Sequence, residues 1–167
     1  MTSDNPAGAP GTPGATTGAT DAPQGPQLGI ARIYVKDLSF ESPQGPDALS
    51  GASQARVDQD LGVGVRRVEG DTYEVILKLT VTMRDGDRTL YLVELEQAGQ
   101  FLARGLEEQA LGQVLNIHCP TVLFPYAREA VDSVLTRGGF PPLLLPPVNF
   151  ETLYRQALEQ RGKQQNA

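Results

Sequence analysis

The stretch Ile117–Phe150, IHCPTVLFPYAREAVDSVLTRGGFPPLLLPPVNF, decides the fold of this chain. Its first half carries apolar residues three or four positions apart, a spacing that gathers them on one face of a helix. Pro120 can open that helix in its first turn, and Pro125 predicts a kink or a later start. Gly138 and Gly139 predict the helix end, because glycine accepts the left-handed conformation of a C-cap. The apolar face consists of Leu123, Phe124, Ala127, Val131, Val134 and Leu135.

The second half, Phe140–Val148 or FPPLLLPPV, has a different character. Its four prolines exclude a helix, since proline lacks the backbone N–H and crowds the preceding turn. Three leucines in a row are too apolar for an ordinary solvated loop. We therefore expect this segment to lie extended against an apolar surface or to stay open for a partner.

Composition restricts the class of protein. The chain has 167 residues, a formal net charge of −6 and a pI of about 4.8, so it repels the phosphates of nucleic acid. It contains no apolar run of the roughly 20 residues that a membrane span needs, and it begins without a basic and apolar secretory signal. The single cysteine, Cys119, excludes an internal disulfide. These features predict a soluble cytoplasmic protein.

The distribution of residue types divides the chain into three parts. Residues 1–27 are rich in Pro, Gly, Ala and Thr, so they cannot bury enough apolar surface to offset the entropy lost on ordering. We expect a disordered tail there, a folded domain over residues 28–160 and a flexible C-terminus over residues 161–167.

Strand patterns fill the first half of the predicted domain. In Ile30–Glu41 the alternation of apolar and polar residues shifts phase by one near Lys36 or Asp37, which predicts a β-bulge. After the shift, Leu38 and Phe40 share one face of the strand. The opposite face then carries Asp37, Ser39 and Glu41.

Three further strands are predicted at Ala55–Val68, Thr72–Arg84 and Arg88–Gln97, after a long loop at 42–53. The fourth strand presents both Leu92 and Glu94 on the face opposite its core residues, and we expect it to break at Gly99–Gly105. Consecutive strands joined by short turns predict an antiparallel sheet.

Helical patterns follow the strands. A short helix is expected from Leu106 to Leu115, and Asn149 is a good N-cap for a last helix with an apolar stripe from Phe150 to Leu158. Strands first and helices afterwards predict an α+β fold, with the helices packed on one face of a four-stranded antiparallel sheet.

The residues provide no catalytic or metal-binding pattern. The sole histidine, His118, is next to the sole cysteine, Cys119, and adjacent side chains point apart instead of forming a nucleophile–base pair. His and Cys are too few for a metal site, and the glycines lack a phosphate-binding spacing. We expect neither an enzyme nor a cofactor. The patterns favour an acidic, oligomeric binding protein whose apolar surface suits extended peptide.

Five segments resemble, in order, the blocks of the protein-export chaperone SecB family, over nearly all of Ile30–Leu158. The combination of FPYARE with FPPLLLPPVNF is highly specific. One departure lies in the crossover Pro43–Asp60, where the family often carries a tryptophan and this chain has none. The five segments are IARIYVKDLSFESP, YEVILKLTVT, YLVELEQAGQF, CPTVLFPYAREAV and RGGFPPLLLPPVNFETLY.

The resemblance implies two main helices on the sheet and a homotetramer assembled as a dimer of dimers. It implies an ATP-independent chaperone that binds unfolded precursor proteins in hydrophobic grooves and delivers them to the export ATPase SecA. The family's acidic contact surface for SecA corresponds here to Asp37, Glu41, Leu92 and Glu94. Client contacts are expected from the apolar residues Leu61, Val63, Phe140, Leu143, Leu144 and Leu145.

Three alternatives remain open. A chaperone of the same fold dedicated to one client, such as an antitoxin, would keep the groove without needing the acidic face. A small-molecule or lipid carrier would need a closed pocket, and an enzyme would need a nucleophile–base pair. The presence of all four SecA-type residues favours the general export role.

Overall fold

The computed structural model describes residues 25–52 and 54–165. Within these ranges, the strands come first and the helices follow, as predicted. The strands are β1 (Gln27–Glu41), β2 (Ala55–Glu69), β3 (Thr72–Asp85) and β4 (Arg88–Arg104). The helices are α1 (Glu108–Gln113), α2 (Cys119–Arg137) and α3 (Phe150–Gln165), with a 3-10 turn at Gly45–Leu49 and a π-helical turn at Val114–His118.

The regular elements of the structure extend past both predicted boundaries of the domain, residues 28 and 160. Residues 1–24 of the predicted disordered tail lie outside the described residues, and β1 already begins at Gln27. At the other end α3 continues to Gln165, so residues 161–165 are helical. The disordered tail and the flexible C-terminus both stay predictions.

The strands form one antiparallel sheet in the order β1-β4-β3-β2. A register shift between Val35 and Asp37 confirms the predicted β-bulge in β1. A second shift lies between Ile30 and Arg32. Each bulge adds one residue to β1 and keeps the following side chains on their proper faces of the sheet.

The predicted break in the fourth strand is wrong, because β4 runs without interruption to Arg104. A Cβ atom at Gly99 would lie 2.7 Å from the ring of Phe101 and 3.0 Å from the Leu123 side chain. The glycine therefore makes room for a helix and an aromatic ring to pack on the strand, which is a role that local sequence does not distinguish from a strand end.

The core lies between the inner face of the sheet and α2. The predicted alternation of β3 is confirmed, since Val75, Leu77, Leu79 and Val81 are all buried. From the helix, Leu123, Ala127, Val131 and Leu135 are fully buried against them. The helices thus pack on one face, as predicted, and the polar outer face of the sheet looks away from the core.

The helical segment is continuous from Glu108 to Arg137, because the π-helical turn joins α1 to α2. The α-helical geometry resumes at Cys119 with Pro120 in its first turn, but Pro120 does not open a new helix. Cys119 N–H donates to the Val114 carbonyl five residues back, and Pro120 has no N–H to donate, so the wider turn suits this position. Pro125 does not delay the start of α2.

The predicted end of α2 and the predicted start of α3 are both confirmed. At the end of α2, Gly139 has a positive φ of 83°, and Phe140 N–H donates to the Leu135 carbonyl in a Schellman motif. At the start of α3, the Asn149 side chain accepts a hydrogen bond of 3.0 Å from Thr152 N–H. No helix in the described part of the chain is both long and apolar enough to span a bilayer.

Candidate functional site

The strand register brings the four residues of the expected SecA surface together on the outer face of the sheet. Glu41 of β1 pairs with Leu92 of β4, Ser39 pairs with Glu94, and the bulge sets Asp37 opposite Glu96. Paired residues of antiparallel strands lie on the same face. The three acids of the predicted surface are exposed, and Leu92 is half-buried between them.

The acidic surface continues across the sheet. Thr80 and Thr82 of β3 pair on their far side with Asp60 and Asp58 of β2, which are both exposed. Lys78 Nζ lies 2.7 Å from a Glu96 oxygen, and no other cation of the described residues is within 4 Å of a carboxylate in this region. We call this region the acidic patch. It consists of Asp37, Glu41, Asp58, Asp60, Leu92, Glu94 and Glu96.

The neighbouring half of the outer face carries a carboxylate that is buried and paired with cations. Glu74 of β3 is only 2% exposed. It accepts hydrogen bonds from Tyr34 Oη and from Lys36 Nζ at 2.9 Å, both from β1, and Arg66 Nη2 of β2 lies 2.9 Å away. The hydrogen bond from Tyr34 lowers the pKa of Glu74 to about 2, with help from Lys36 and Arg66 and against the effect of burial. We call these four residues the Glu74 cluster.

Tyr34 reaches Glu74 across an intervening strand. β4 lies between β1 and β3, and the residue of β4 that pairs with Tyr34 is Ala98. Ala98 lies on the outer face, and its small side chain leaves room for the tyrosine to pass over it. Ala98 is accordingly fully buried. Burial and the nearby Glu74 carboxylate raise the pKa of Tyr34, so its hydroxyl remains a donor.

An apolar groove lies on the helix side of the molecule and consists of three adjoining cavities. The largest, of about 860 Å³, lies along α2 and is lined by Phe124, Val148 and Phe150 together with polar side chains of the helix. The second, of about 300 Å³, shares Phe124 and Val148 with the first and adds Leu61 and Leu153. The third, of about 360 Å³, shares Leu61 and Leu153 with the second and lies between β2 and α3.

The structure brings only part of the expected client residues to this groove. Leu61 and Val63 line it from β2, and Leu145 lines it from the proline segment with only 3% of its surface exposed. Leu143 is half-buried against the core, and Leu144 is exposed.

Phe140 lies apart from the groove. It is 3% exposed, and its ring packs edge-on against Phe40 and Tyr91, with centroids 6.1 and 5.1 Å away. Because its ring packs against these two aromatic side chains of the sheet, Phe140 stabilises the junction of α2 with the sheet. Client contact by all six residues stays a prediction.

The sequence did not identify the α3 side of the groove. Phe150 and Leu153 were recognised as an apolar stripe, but nothing local showed that they face Leu61 on β2. The signal that could have found them is the apolar residue Val148 directly before the helix, which continues the stripe into the proline segment.

The adjacent residues His118 and Cys119 do not form a catalytic or metal site together. Cys119 is 1% exposed, and burial raises its pKa to about 12, so the thiol remains protonated at neutral pH. His118 is exposed. Within residues 25–52 and 54–165, no three His, Cys, Asp or Glu side chains are grouped to hold a metal ion.

Known proteins are similar to this chain in sequence and in fold. Residues 21–161 match the family model "SecB: Preprotein translocase subunit SecB". The protein-export protein SecB of Cellvibrio japonicus (strain Ueda107) is 51% identical over 146 residues, which cover 87% of each chain. That of Marinobacter nauticus (strain ATCC 700491 / DSM 11845 / VT8) is 46% identical over 139 residues, or 83% of this chain and 84% of the relative.

A solved structure has the same fold. It is the Mycobacterium tuberculosis SecB-like chaperone Rv1957, in complex with a ChAD peptide from the HigA1 antitoxin. The TM-score is 0.61 at 18% identity, over 72% of this chain and 90% of that one. Because the family model and relatives at about half identity extend over most of the chain, this protein belongs to the SecB family of chaperones for preprotein export.

Proposed function

We propose that this chain binds unfolded precursor proteins in the apolar groove and delivers them to the export ATPase SecA through the acidic patch. The proposed delivery to SecA is supported by the exposed carboxylates of the acidic patch, which no cation of the described residues neutralises. Asp37, Glu41 and Glu94 are exposed and have no cation of the described chain within 4 Å. Such carboxylates attract a basic partner, and the half-buried Leu92 offers it an apolar contact.

The partner that suits this surface is the basic, zinc-containing C-terminal tail of SecA. The described helices pack on the opposite, inner face of the sheet, so a small folded partner can lie flat against the outer face. Contact between exposed charges of opposite sign speeds association and weakens as salt rises.

The apolar groove supports the client-binding half of the proposal. Its three cavities adjoin through shared apolar residues, so together they form an elongated surface and not a closed pocket. An extended chain of varied sequence can bury apolar side chains along such a surface, because the hydrophobic effect depends on area more than on shape. No ATP is required for binding of this kind.

The proposed assembly is a cytoplasmic homotetramer, a dimer of dimers. The edge strand β1 exposes four large apolar side chains, which a monomer would leave in water. They are Leu28, Ile30, Val35 and Leu38.

The test is calorimetric titration of the purified protein with a synthetic SecA C-terminal zinc peptide. We expect Asp37→Ala and Glu41→Ala each to weaken binding roughly tenfold, with circular dichroism and sedimentation unchanged. Glu159→Ala is the matched control, since it removes an equal charge from an exposed position of α3 and should bind as the wild type does. No heat with the wild-type protein would reject the hand-off to SecA and favour a chaperone dedicated to one client.

A further inference from the structure

Leu144 has an unusual backbone conformation. Among the described residues it is the one non-glycine residue with a positive φ, 54°, which is the left-handed region that a leucine side chain disfavours. It is also 62% exposed, more than any other large apolar residue that the structure describes. Asparagine or glycine would adopt this conformation at lower cost, and neither would place an apolar side chain in water.

Asp132 of α2 holds Leu144 in this conformation. One carboxylate oxygen, Oδ1, accepts hydrogen bonds from Leu143 N–H at 2.8 Å and from Leu144 N–H at 3.1 Å. On either side, proline pairs fix the backbone φ angles. The three leucines between the pairs are therefore the adjustable part of the segment, and Asp132 fixes two of them. The prolines are Pro141, Pro142, Pro146 and Pro147.

The three consecutive leucine side chains differ in their exposure to solvent. Leu143 packs partly against the core, and Leu145 is buried at the groove beside Leu61. Leu144, between them, remains exposed. Strained backbone conformations that the surrounding structure enforces cluster at functional sites, including sites that hold a ligand.

We propose that Asp132 is a positioning residue that presents Leu144 as an apolar contact for an extended segment of an unfolded client. The occupant is an apolar side chain of the client, bound next to the groove that Leu145 lines. This inference rests on the proposed client-binding function and adds to it the residue that sets the geometry of the contact.

The decisive variant is Leu144→Asn. It relieves the left-handed strain, so we expect the Tm to rise by about 3 °C. It also removes the apolar contact, so binding of reduced, carboxymethylated α-lactalbumin should weaken about fivefold in fluorescence anisotropy. A higher Tm with unchanged affinity would show that Leu144 is only a strained loop residue and would overturn the inference.

The role of Asp132 is tested by substituting it both in the wild-type chain and in the Leu144→Asn variant. Asp132→Ala should weaken client binding about fivefold in the wild-type chain and have no effect on binding in Leu144→Asn, because the two changes remove the same contact. Asp132→Asn keeps a carbonyl oxygen for both N–H groups and should restore affinity. Equal losses in both backgrounds would overturn the positioning role.

Glu159→Ala is the control, because Glu159 is exposed on α3 and lines none of the three cavities of the groove. It should bind the client as the wild type does. If the wild-type chain itself fails to bind the unfolded protein, the proposed client function fails as well. If the wild type binds and Leu144→Asn binds equally, only this inference fails.

Discussion

The two halves of the outer sheet face hold carboxylates in opposite conditions. Glu74 of β3 is 2% exposed and contacts a tyrosine and two cations, whereas Glu94 of the adjacent β4, on the same face, is exposed and has no cation of the described residues within 4 Å. Both belong to central strands of the sheet. Charge type alone therefore does not define an interaction surface. A carboxylate whose charge is balanced within the fold stabilises the fold, and one left unbalanced is available to a partner.

The pairing partners explain how the two halves came to differ. The edge strands β1 and β2 both send a cation over the centre of the sheet to Glu74, from Lys36 and Arg66. In the acidic patch the neighbours of Glu94 are Ser39 and Thr80, which carry no charge to balance it. The comparison therefore predicts that substitutions in the cluster change stability, and substitutions in the patch change partner binding.

Glu74→Gln should have the largest effect on stability. Removing the charge leaves Lys36 and Arg66 without an anionic partner, and we expect a loss of about 2 kcal/mol in the free energy of unfolding at pH 7. This is less than a fully buried pair would lose, because both cations are partly exposed. Urea denaturation measures the change. Glu94→Gln is the control, expected to remain within about 0.5 kcal/mol of the wild type. Equal losses for both would contradict the comparison.

The contribution of Glu74 also has a definite dependence on pH. Its pKa is lowered from 4.5 to about 2 in the folded state, so the carboxylate stabilises the protein fully above pH 4.5. As the pH falls from 4.5 to 2, that contribution is lost because the unfolded chain takes up the proton first. The difference in unfolding free energy between the wild type and Glu74→Gln should therefore shrink over this interval. A constant difference would show that Glu74 acts through packing.

Tyr34→Phe should have an intermediate effect. It removes the hydrogen bond that contributes most to the low pKa of Glu74, and we expect it to cost about 1 kcal/mol in unfolding free energy. The pKa of the Glu74 carboxyl should rise toward its ordinary value, as an NMR titration of that side chain would detect. Tyr126→Phe, at an exposed position on α2, is the control and should change neither quantity. An unchanged Glu74 pKa in Tyr34→Phe would contradict the role assigned to the hydroxyl.

Sequence analysis places Asp37, Glu41, Leu92 and Glu94 of the acidic patch on the outer face, but it does not reveal the Glu74 cluster. The reason is that local sequence carries no information about contacts between distant strands. The alternation of side chains along a strand is local, so Asp37 and Glu94 could be assigned to the outer face once one bulge was allowed. The partners of Glu74 lie 8, 38 and 40 positions away along the chain. Only the strand order and register bring them together.

The same limit applies to the continuous β4 and to the proline segment. Gly99 indicates a break by its type, and only its neighbours Phe101 and Leu123 show that it serves packing. The three leucines of the proline segment are identical in sequence, yet their exposure differs because Asp132, on the preceding helix, fixes the backbone between them. The local patterns predicted the strand alternation, the bulge in β1, the end of α2 and the start of α3 correctly. The break at Gly99 was wrong because a tertiary contact decides the role of that glycine.

Asp58→Asn should have the smallest effect, and it tests how far the acidic patch extends. Asp58 lies in the same row as Leu92, with Thr82 between them. Two strand spacings separate Asp58 from Leu92 by about 10 Å, a distance comparable with the Debye length at 0.1 M salt. If the SecA peptide is centred on Leu92, Asp58 acts on it only through the screened field.

Calorimetry with the SecA peptide should therefore show about a twofold loss of affinity for Asp58→Asn at low salt and no loss at 0.5 M salt. Glu41, directly paired with Leu92, should keep part of its larger effect at high salt, because closer charges are screened less. Unfolding free energy should stay within about 0.5 kcal/mol of the wild type. A loss for Asp58→Asn that persists at high salt would place Asp58 in direct contact with the peptide, and the binding surface would then extend across the whole width of the sheet.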